Sequence, residues 1–143
     1  METLSLANCS LSTSHLETLL SHLESNTLSS LRSLNLSNNP GVSIASMAPV
    51  PSLCLTGLKR LNLGLNDCQS IEQLHSSDPD KLDLKLNYLN LRKSKIKFEA
   101  LHDLHRIFDP QKDATLVLDG IRLSGSGMKA LKDLLGQYCF QIL

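Results

Sequence analysis

The sequence repeats one leucine pattern along its whole length, and this recurrence limits the folds open to the chain. The clearest copy is the stretch 31–39, which has leucines at its first, fourth and sixth positions and an asparagine at its ninth. The arrangement L-x-x-L-x-L-x-x-N/C-x-L starts near residues 1, 31, 58, 86 and 113, and a partial sixth copy begins at Phe140. A fixed period of about 20–50 residues is typical of stacked structural repeats, so we expect one supersecondary unit per copy.

Each copy predicts a short β-strand with one apolar side. Successive side chains of a strand point to opposite faces, so the two leucines of the L-x-L core point the same way. Aromatic residues make up only 3% of the chain and Trp is absent, which leaves leucine to supply the core. Stacking of equivalent leucines from successive copies would bury them together.

This pattern resembles that of the leucine-rich repeat family, and the resemblance covers the whole chain. Repeats of 27 to 30 residues are similar to those of the ribonuclease-inhibitor-like subclass. The resemblance implies an α/β solenoid of about five repeats: a curved, parallel inner sheet with helices and irregular returns on the convex side. It also implies inward ninth side chains that form a hydrogen-bonded ladder with neighbouring loops, here Cys9, Asn39, Asn66, Ser94 and Ile121. Because the Ile121 side chain cannot hydrogen-bond, the ladder should end before the fifth repeat.

The segments between the strands predict outer returns of different kinds. Ser14 and Glu17 have the spacing of a capping box. The leucines that share one face of the following helix are Leu16, Leu19, Leu20 and Leu23. Pro49 and Pro51 favour an irregular return, because proline is unfavourable inside a helix. Returns are expected as irregular chain at 43–57 and as helices at about 70–75, 97–108 and 127–137, with Phe108 pointing inward.

The chain is predicted to be a single domain, residues 1–143. Met1 occupies the first leucine position with no polar cap before it, and solenoids normally carry atypical terminal repeats. We therefore expect the chain to be a fragment of a longer protein. No apolar run has the length of a membrane span, and no secretory signal is visible. Four irregularly spaced cysteines favour reduced thiols in an intracellular protein, cytoplasmic or nuclear.

Motifs for catalysis or metal binding do not stand out. The stretch 124–127 lacks the lysine of a phosphate loop and is interpreted as the start of the last helix. His102 and His105 lie three residues apart, but no second pair has ligand spacing. Cys9 and Cys68 are interpreted as small buried thiols rather than nucleophiles. We expect no enzymatic activity, no cofactor, no metal and no small-molecule substrate.

The functional signal lies in the side chains between the leucines, at positions two, three, five, seven and eight. These positions face the concave side of the predicted sheet or its rim, and in the fifth copy they include Ala114. The predicted partner-binding residues are Arg32, Asn35, Lys59, Arg60, Asn62, Tyr88, Asn90, Arg92 and Lys93. The three asparagines form a polar column, and the cations make the face locally basic in a chain of zero net charge. Tyr88 and Leu65 are candidate apolar anchors.

We expect a protein-interaction module that binds a partner protein, with an acidic segment favoured, through this concave face. Arginine and tyrosine are enriched at interfaces, and a basic face attracts acidic segments. One alternative is a structural or autoinhibitory array of a larger scaffold or receptor. Similar arrays occur in Nod-like receptors, which are innate immune sensors, and in genome-maintenance scaffolds. A merely solvated face and weak nucleic-acid backbone binding are further alternatives, although zero net charge argues against the latter.

Overall fold

The protein has an α/β fold in the computed structural model, which describes residues 1–23, 29–42, 57–66, 84–96, 107–109, 113–135 and 140–142. Within these ranges, the strands are β1 (Thr3–Ser5), β2 (Ser33–Asn35), β3 (Arg60–Asn62), β4 (Tyr88–Asn90), β5 (Ala114–Val117) and β6 (Phe140–Ile142). The helices are α1 (Thr13–His22) and α2 (Gly125–Leu135).

All six strands form one parallel sheet in the order of the sequence, β1 to β6. From β1 to β5 the register places equivalent positions of successive copies side by side. Leu34, for example, pairs with Leu4 on one side and with Leu61 on the other. The predicted parallel sheet is therefore confirmed, with one strand in each of the five copies and a sixth strand after them. Phe140 pairs with Ala114, the second position of the fifth copy, so the partial sixth copy is offset by one residue from the predicted start.

The hydrophobic core lies on the leucine side of the sheet. Leu31, Leu34 and Leu36 of the second copy are almost completely buried, as are their counterparts in the third and fourth copies. Ala114 joins this core instead of the opposite face, which corrects the prediction for the second position of the fifth copy. The cause is alternation: β5 begins at Ala114, and Ala114 and Leu116 point to the same side.

The first copy lies at the edge of this sheet and is less well covered. Leu4, Leu6 and Leu11 are only half-buried, although they pack against the core cluster. Leu4 belongs to β1, which has a single sheet neighbour, β2, among the described residues. Leu34 and Leu61, its counterparts on strands with two neighbours, are almost completely buried.

A residue in the left-handed region follows the strand in every one of the first five copies. These eighth-position residues, with φ between 50° and 74°, are Asn8, Asn38, Leu65, Lys93 and Gly120, and we call them the rim. Their amides extend the parallel pairing past the strands: the Leu65 N–H donates to Arg92 O at 2.7 Å. These side chains were predicted to lie on the face or its rim, but the left-handed turn that positions them was not predicted.

The predicted ladder is present at Asn39 and Asn66. The Asn39 side chain is completely buried. Its Nδ2 donates to Leu6 O (2.8 Å) and Leu36 O (2.9 Å). Its Oδ1 accepts from the N–H groups of Cys9 (3.1 Å) and Leu11 (3.0 Å). The Asn39 N–H in turn donates to Asn66 Oδ1 at 2.8 Å, so one asparagine of each copy links to the next.

Two members of the ladder differ from the prediction. Cys9 is an exposed thiol, not a buried one, because it follows the edge strand β1 and no further copy covers it in the described structure. Ser94 is buried, but its hydroxyl donates to Leu91 O (2.7 Å) within its own turn. A hydroxyl has one donor and a short reach, so it does not span to the next copy as an asparagine does. Cys68 lies outside the described residues.

The start of α1 corrects the predicted capping box by two residues. Ser12, not Ser14, is the N-cap: its Oγ accepts from the His15 N–H at 3.3 Å. The His15 ring completes the box, because its Nδ1 accepts from the Ser12 N–H at 3.2 Å. The helix itself is confirmed, with Leu16 completely buried. A parallel bridge between Ser12 and Gly41 of the second copy fixes the point at which the helix begins.

The other returns are described only in part. Helix α2 is confirmed but begins two residues earlier than predicted, where the Ser124 hydroxyl accepts from the Gly127 N–H at 3.0 Å. Phe108 points inward as predicted, and it lies in a parallel bridge with Leu86. The returns expected at 43–56, 70–75 and 97–106 lie outside the described residues.

The corrected cap leads to a stability prediction. Ser12→Ala should lower the free energy of unfolding by about 1 kcal/mol, because it removes the side-chain acceptor of the His15 N–H. Ser14→Ala is the matched control, since the Ser14 hydroxyl bonds only the Ser12 hydroxyl among the described residues and its loss should matter less. Urea denaturation of both variants measures the difference. A larger loss in Ser14→Ala would restore the original assignment of the cap.

Candidate functional site

The side chains between the leucines form the opposite face of the sheet, which we call the polar face. It consists of two columns that run across the strands. One column contains Thr3, Ser33, Arg60, Tyr88 and Thr115, and the other contains Ser5, Asn35, Asn62, Asn90 and Val117. Neighbouring strands are about 4.8 Å apart, so adjacent members of a column can share one ligand.

The asparagine column is present and has a structural role. The Oδ1 atoms of Asn35, Asn62 and Asn90 accept from the backbone N–H two residues later, at 3.1, 3.1 and 2.9 Å. These side chains therefore support the turn at the end of each strand, as asparagine commonly does. Within the described ranges, their Nδ2 groups have no hydrogen-bond acceptor. The column thus offers three half-buried amides as donors on the polar face.

Arg60 and Tyr88 form the centre of the polar face. They are directly paired residues of β3 and β4, and the Arg60 guanidinium carbon lies 4.0 Å from the centroid of the Tyr88 ring. Arg60 is exposed and Tyr88 is half-buried. No carboxylate pairs with Arg60 in the described part of the chain. This cation–π contact holds an arginine flat on an aromatic surface and leaves its charge unneutralised.

Two of the predicted basic residues turn back onto the chain. An Arg32 terminal nitrogen donates to Ser29 O (2.9 Å) and Leu31 O (3.3 Å), and the guanidinium packs over Gly57, where a side chain would collide with it. The Lys59 ammonium donates to Lys85 O at 3.2 Å. Carbonyl oxygens hold these cations in place without cancelling their charge. Arg32 and Lys59 therefore contribute mainly positive charge to this face, because some of their N–H donors are already bonded to carbonyls.

The remaining two predicted cations lie towards the carboxyl ends of the strands. Arg92 Nε is 3.0 Å from Asp119 Oδ2, and both side chains are more than half exposed. This pair adds little stability, since exposed ion pairs contribute about 0–1 kcal/mol, but it neutralises Arg92 locally. The Lys93 stem lies over Gly120, where an added Cβ would be 2.5 Å from Lys93 Cγ. Asp119 occupies the seventh position of the fifth copy, which was predicted to face this side or its rim, but its ion pair with Arg92 was not predicted.

The geometry therefore divides the predicted residues into three groups. Arg60 and Tyr88 come together as an open, charged and aromatic patch at the middle of the sheet. The asparagines present amides beside that patch. The other cations surround it: Arg32 and Lys59 bond backbone carbonyls, Arg92 pairs with Asp119, and the Lys93 stem packs over Gly120. Such a surface can hold carboxylates and hydrogen-bond acceptors.

The described residues were also searched for metal sites and for membrane-spanning helices. In residues 1–23, 29–42 and the other described ranges, no three His, Cys, Asp or Glu side chains are grouped to hold a metal ion. Among the same residues, no helix is long and apolar enough to cross a membrane.

Comparison with known proteins adds no identification. Neither a scan against protein-family models nor a search of curated proteins matches the chain. The class of protein has to be inferred from its own residues and their arrangement.

Proposed function

We propose that the chain is a leucine-rich repeat domain of the ribonuclease-inhibitor-like kind, with the sheet on the concave side of a curved solenoid. Three features support this assignment. The strands follow one another in sequence order, the leucines at equivalent positions stack into one core, and Asn39 and Asn66 link neighbouring copies. The left-handed residue at the eighth position of five successive copies adds a fourth regularity.

The polar face is proposed to bind an acidic segment of a partner protein. The observation that carries this proposal is Arg60, stacked at 4.0 Å on Tyr88 with no carboxylate partner among the described residues. Arginine and tyrosine are the residues that most often dominate binding energy at interfaces. Arg32, Lys59 and Lys93 add positive charge around them, which raises the rate of association with an acidic partner.

We further propose a binding role without catalysis, inside the cell. Cys9 is a free and exposed thiol, which suits a reducing compartment better than an oxidising one. The chain has zero net charge, which argues against general binding to a nucleic-acid backbone, so protein is the favoured partner.

The test is binding of a labelled acidic peptide to the 143-residue chain. A fluorescein-labelled decapeptide rich in glutamate should bind in a fluorescence anisotropy titration, and the same peptide with glutamine in place of glutamate should not. Arg60→Glu should weaken the affinity about tenfold or more, because it reverses the central charge of the site. Lys129→Glu is the matched control: Lys129 is an exposed residue of α2 and its reversal changes the net charge equally.

Three outcomes would contradict the proposal in different ways. Equal loss of affinity in both variants would mean that only net charge matters and that the polar face is not the site. Failure of the glutamate peptide to bind would favour a structural or autoinhibitory array. Binding of a single-stranded oligonucleotide that Arg60→Glu abolishes, with an affinity falling steeply and linearly in log salt, would make nucleic acid the ligand.

A further inference from the structure

Leu65 is the one apolar residue among the five residues of the rim. It has φ of 63°, a conformation that costs an ordinary L-residue about 1 kcal/mol and that glycine and asparagine adopt most easily. At the same position the chain uses Asn8, Asn38, Lys93 and Gly120. Leu65 is also 42% exposed, so burial in the core does not account for its presence. A strained backbone that carries an exposed apolar side chain is a reason to look for a binding role.

The neighbours of Leu65 on the rim lean away from it. On one side, Asn38 Nδ2 donates to Asn8 Oδ1 at 3.0 Å, so the Asn38 side chain extends towards the first copy. On the other side, the Lys93 stem lies over Gly120, towards the fifth copy. Leu65 therefore stands uncovered between two side chains directed away from it. Its backbone is nevertheless well held, by the 2.7 Å bond from its N–H to Arg92 O.

Leu65 and Arg60 belong to the same strand and turn of the third copy. Five residues separate them, so their Cα atoms are at most about 17 Å apart. The cation lies at the start of β3 and the leucine lies on the turn after its end. An extended peptide that reaches from one to the other would span about three to five residues.

We propose that Leu65 is the apolar anchor of the acidic-segment site, and that the preferred ligand is an extended peptide with a carboxylate and a large aliphatic side chain three to five residues apart. The carboxylate binds Arg60 on Tyr88, and the aliphatic side chain packs against Leu65. This proposal rests on the proposed function and refines it, because Leu65 then selects among acidic segments. The strained backbone at Leu65 is then explained by the ability of its side chain to discriminate among acidic segments.

A selection from a phage-displayed library of random dodecapeptides tests the motif. The wild-type chain should enrich peptides with Asp or Glu and, at a fixed spacing of three to five residues, Leu, Ile, Met or Phe. Leu65→Asn should keep the preference for acidic residues and lose the apolar one. Arg60→Glu should lose the acidic preference. An enriched peptide made synthetically should bind Leu65→Asn about tenfold more weakly than wild type.

The strain supplies a second readout that separates binding from folding. Leu65→Asn should raise the Tm by roughly 2–4 °C, because asparagine tolerates the left-handed region at Asn8 and Asn38 of the same chain. A variant that is more stable and binds less tightly cannot have lost affinity by unfolding. An unchanged or lower Tm would overturn the argument from strain.

Three further outcomes would each contradict the assignment of Leu65 as the anchor of a peptide site. If Leu65→Asn selects the same motif with the same affinity, Leu65 is not the anchor, while the proposed function stands. If the wild-type chain enriches no acidic peptide, both the proposed function and this refinement fail. If the wild-type chain dimerises in analytical ultracentrifugation and Leu65→Asn abolishes the dimer, the leucine serves self-association and the peptide assignment is wrong.

Discussion

Replacing Asn39 by alanine should destabilise the fold by about 3 kcal/mol or more. The substitution removes the partners of the N–H groups of Cys9 and Leu11 and of the Leu6 carbonyl, whereas Leu36 O keeps its bond from Asn66 Nδ2 at 2.8 Å. Each polar group left unsatisfied in a buried position costs about 1–3 kcal/mol. Because these groups belong to the first copy and Asn39 belongs to the second, the loss affects both copies together. Urea denaturation followed by circular dichroism measures it.

Two further variants sharpen this prediction. Asn39→Asp keeps the volume but places a carboxylate oxygen where Nδ2 donates to carbonyls, so it should be about as destabilising as alanine. Asn87→Ala is the control, because Asn87 is half-buried and its side chain has no bond among the described residues. A loss in Asn39→Ala within about 1 kcal/mol of that in Asn87→Ala would show that water replaces the ladder at little cost.

Leu61→Ala should cost about 3–4 kcal/mol, and Leu4→Ala should cost only about 1 kcal/mol. The two leucines occupy the same position of their copies, and both are paired with leucines across the sheet. Leu61 is completely buried between β2 and β4, whereas Leu4 is half-buried on β1. The same atoms are removed in both variants, so the difference between the two losses of unfolding free energy measures the effect of burial by a second neighbouring strand.

Chemical denaturation of the two variants under identical conditions gives that difference. Equal losses would mean that Leu4 is as well packed as Leu61 in solution. A similar denaturant slope in both variants is the control, because it shows that the same surface becomes exposed on unfolding.

The strands and the core could be predicted from the sequence because the leucine period leaves little choice of register. A shift of one residue would move Leu34 and Leu36 to the opposite face of the sheet and bring Asn35 into the core. The hydrogen-bonding role of Asn39 was implied by the resemblance to leucine-rich repeats, and it has a physical reason, since a buried asparagine has to bond nearby backbone groups. Ala114 escaped this reasoning because β5 starts one residue earlier in its copy than β1 to β4 do in theirs.

The caps and turns were harder to predict, because several local patterns compete. Ser12 and Ser14 both lie at the start of α1, and the bridge between Ser12 and Gly41 of the next copy decides between them. The left-handed rim combines residue types as different as asparagine, leucine, lysine and glycine. No single residue type marks that position, so only the backbone reveals it.

The candidate site was predicted in composition but not in detail. The sequence indicates which cations lie between the leucines, and Arg60 and Tyr88 were predicted on the same face. It does not indicate that Arg32 and Lys59 bind backbone carbonyls or that Arg92 pairs with Asp119. A long, flexible side chain can reach several acceptors, and small differences in backbone position determine which of them it bonds.

The sequential order of the strands also bears on motion. Within the described ranges each strand pairs only with its neighbours in the sequence, so local opening is expected to proceed inward from the outer strands, in the manner of fraying. The junction of β3 and β4, where Arg60 and Tyr88 meet, is the middle of this row. A ligand that holds both residues would therefore bind where the backbone fluctuates least, and little conformational entropy would be lost on binding.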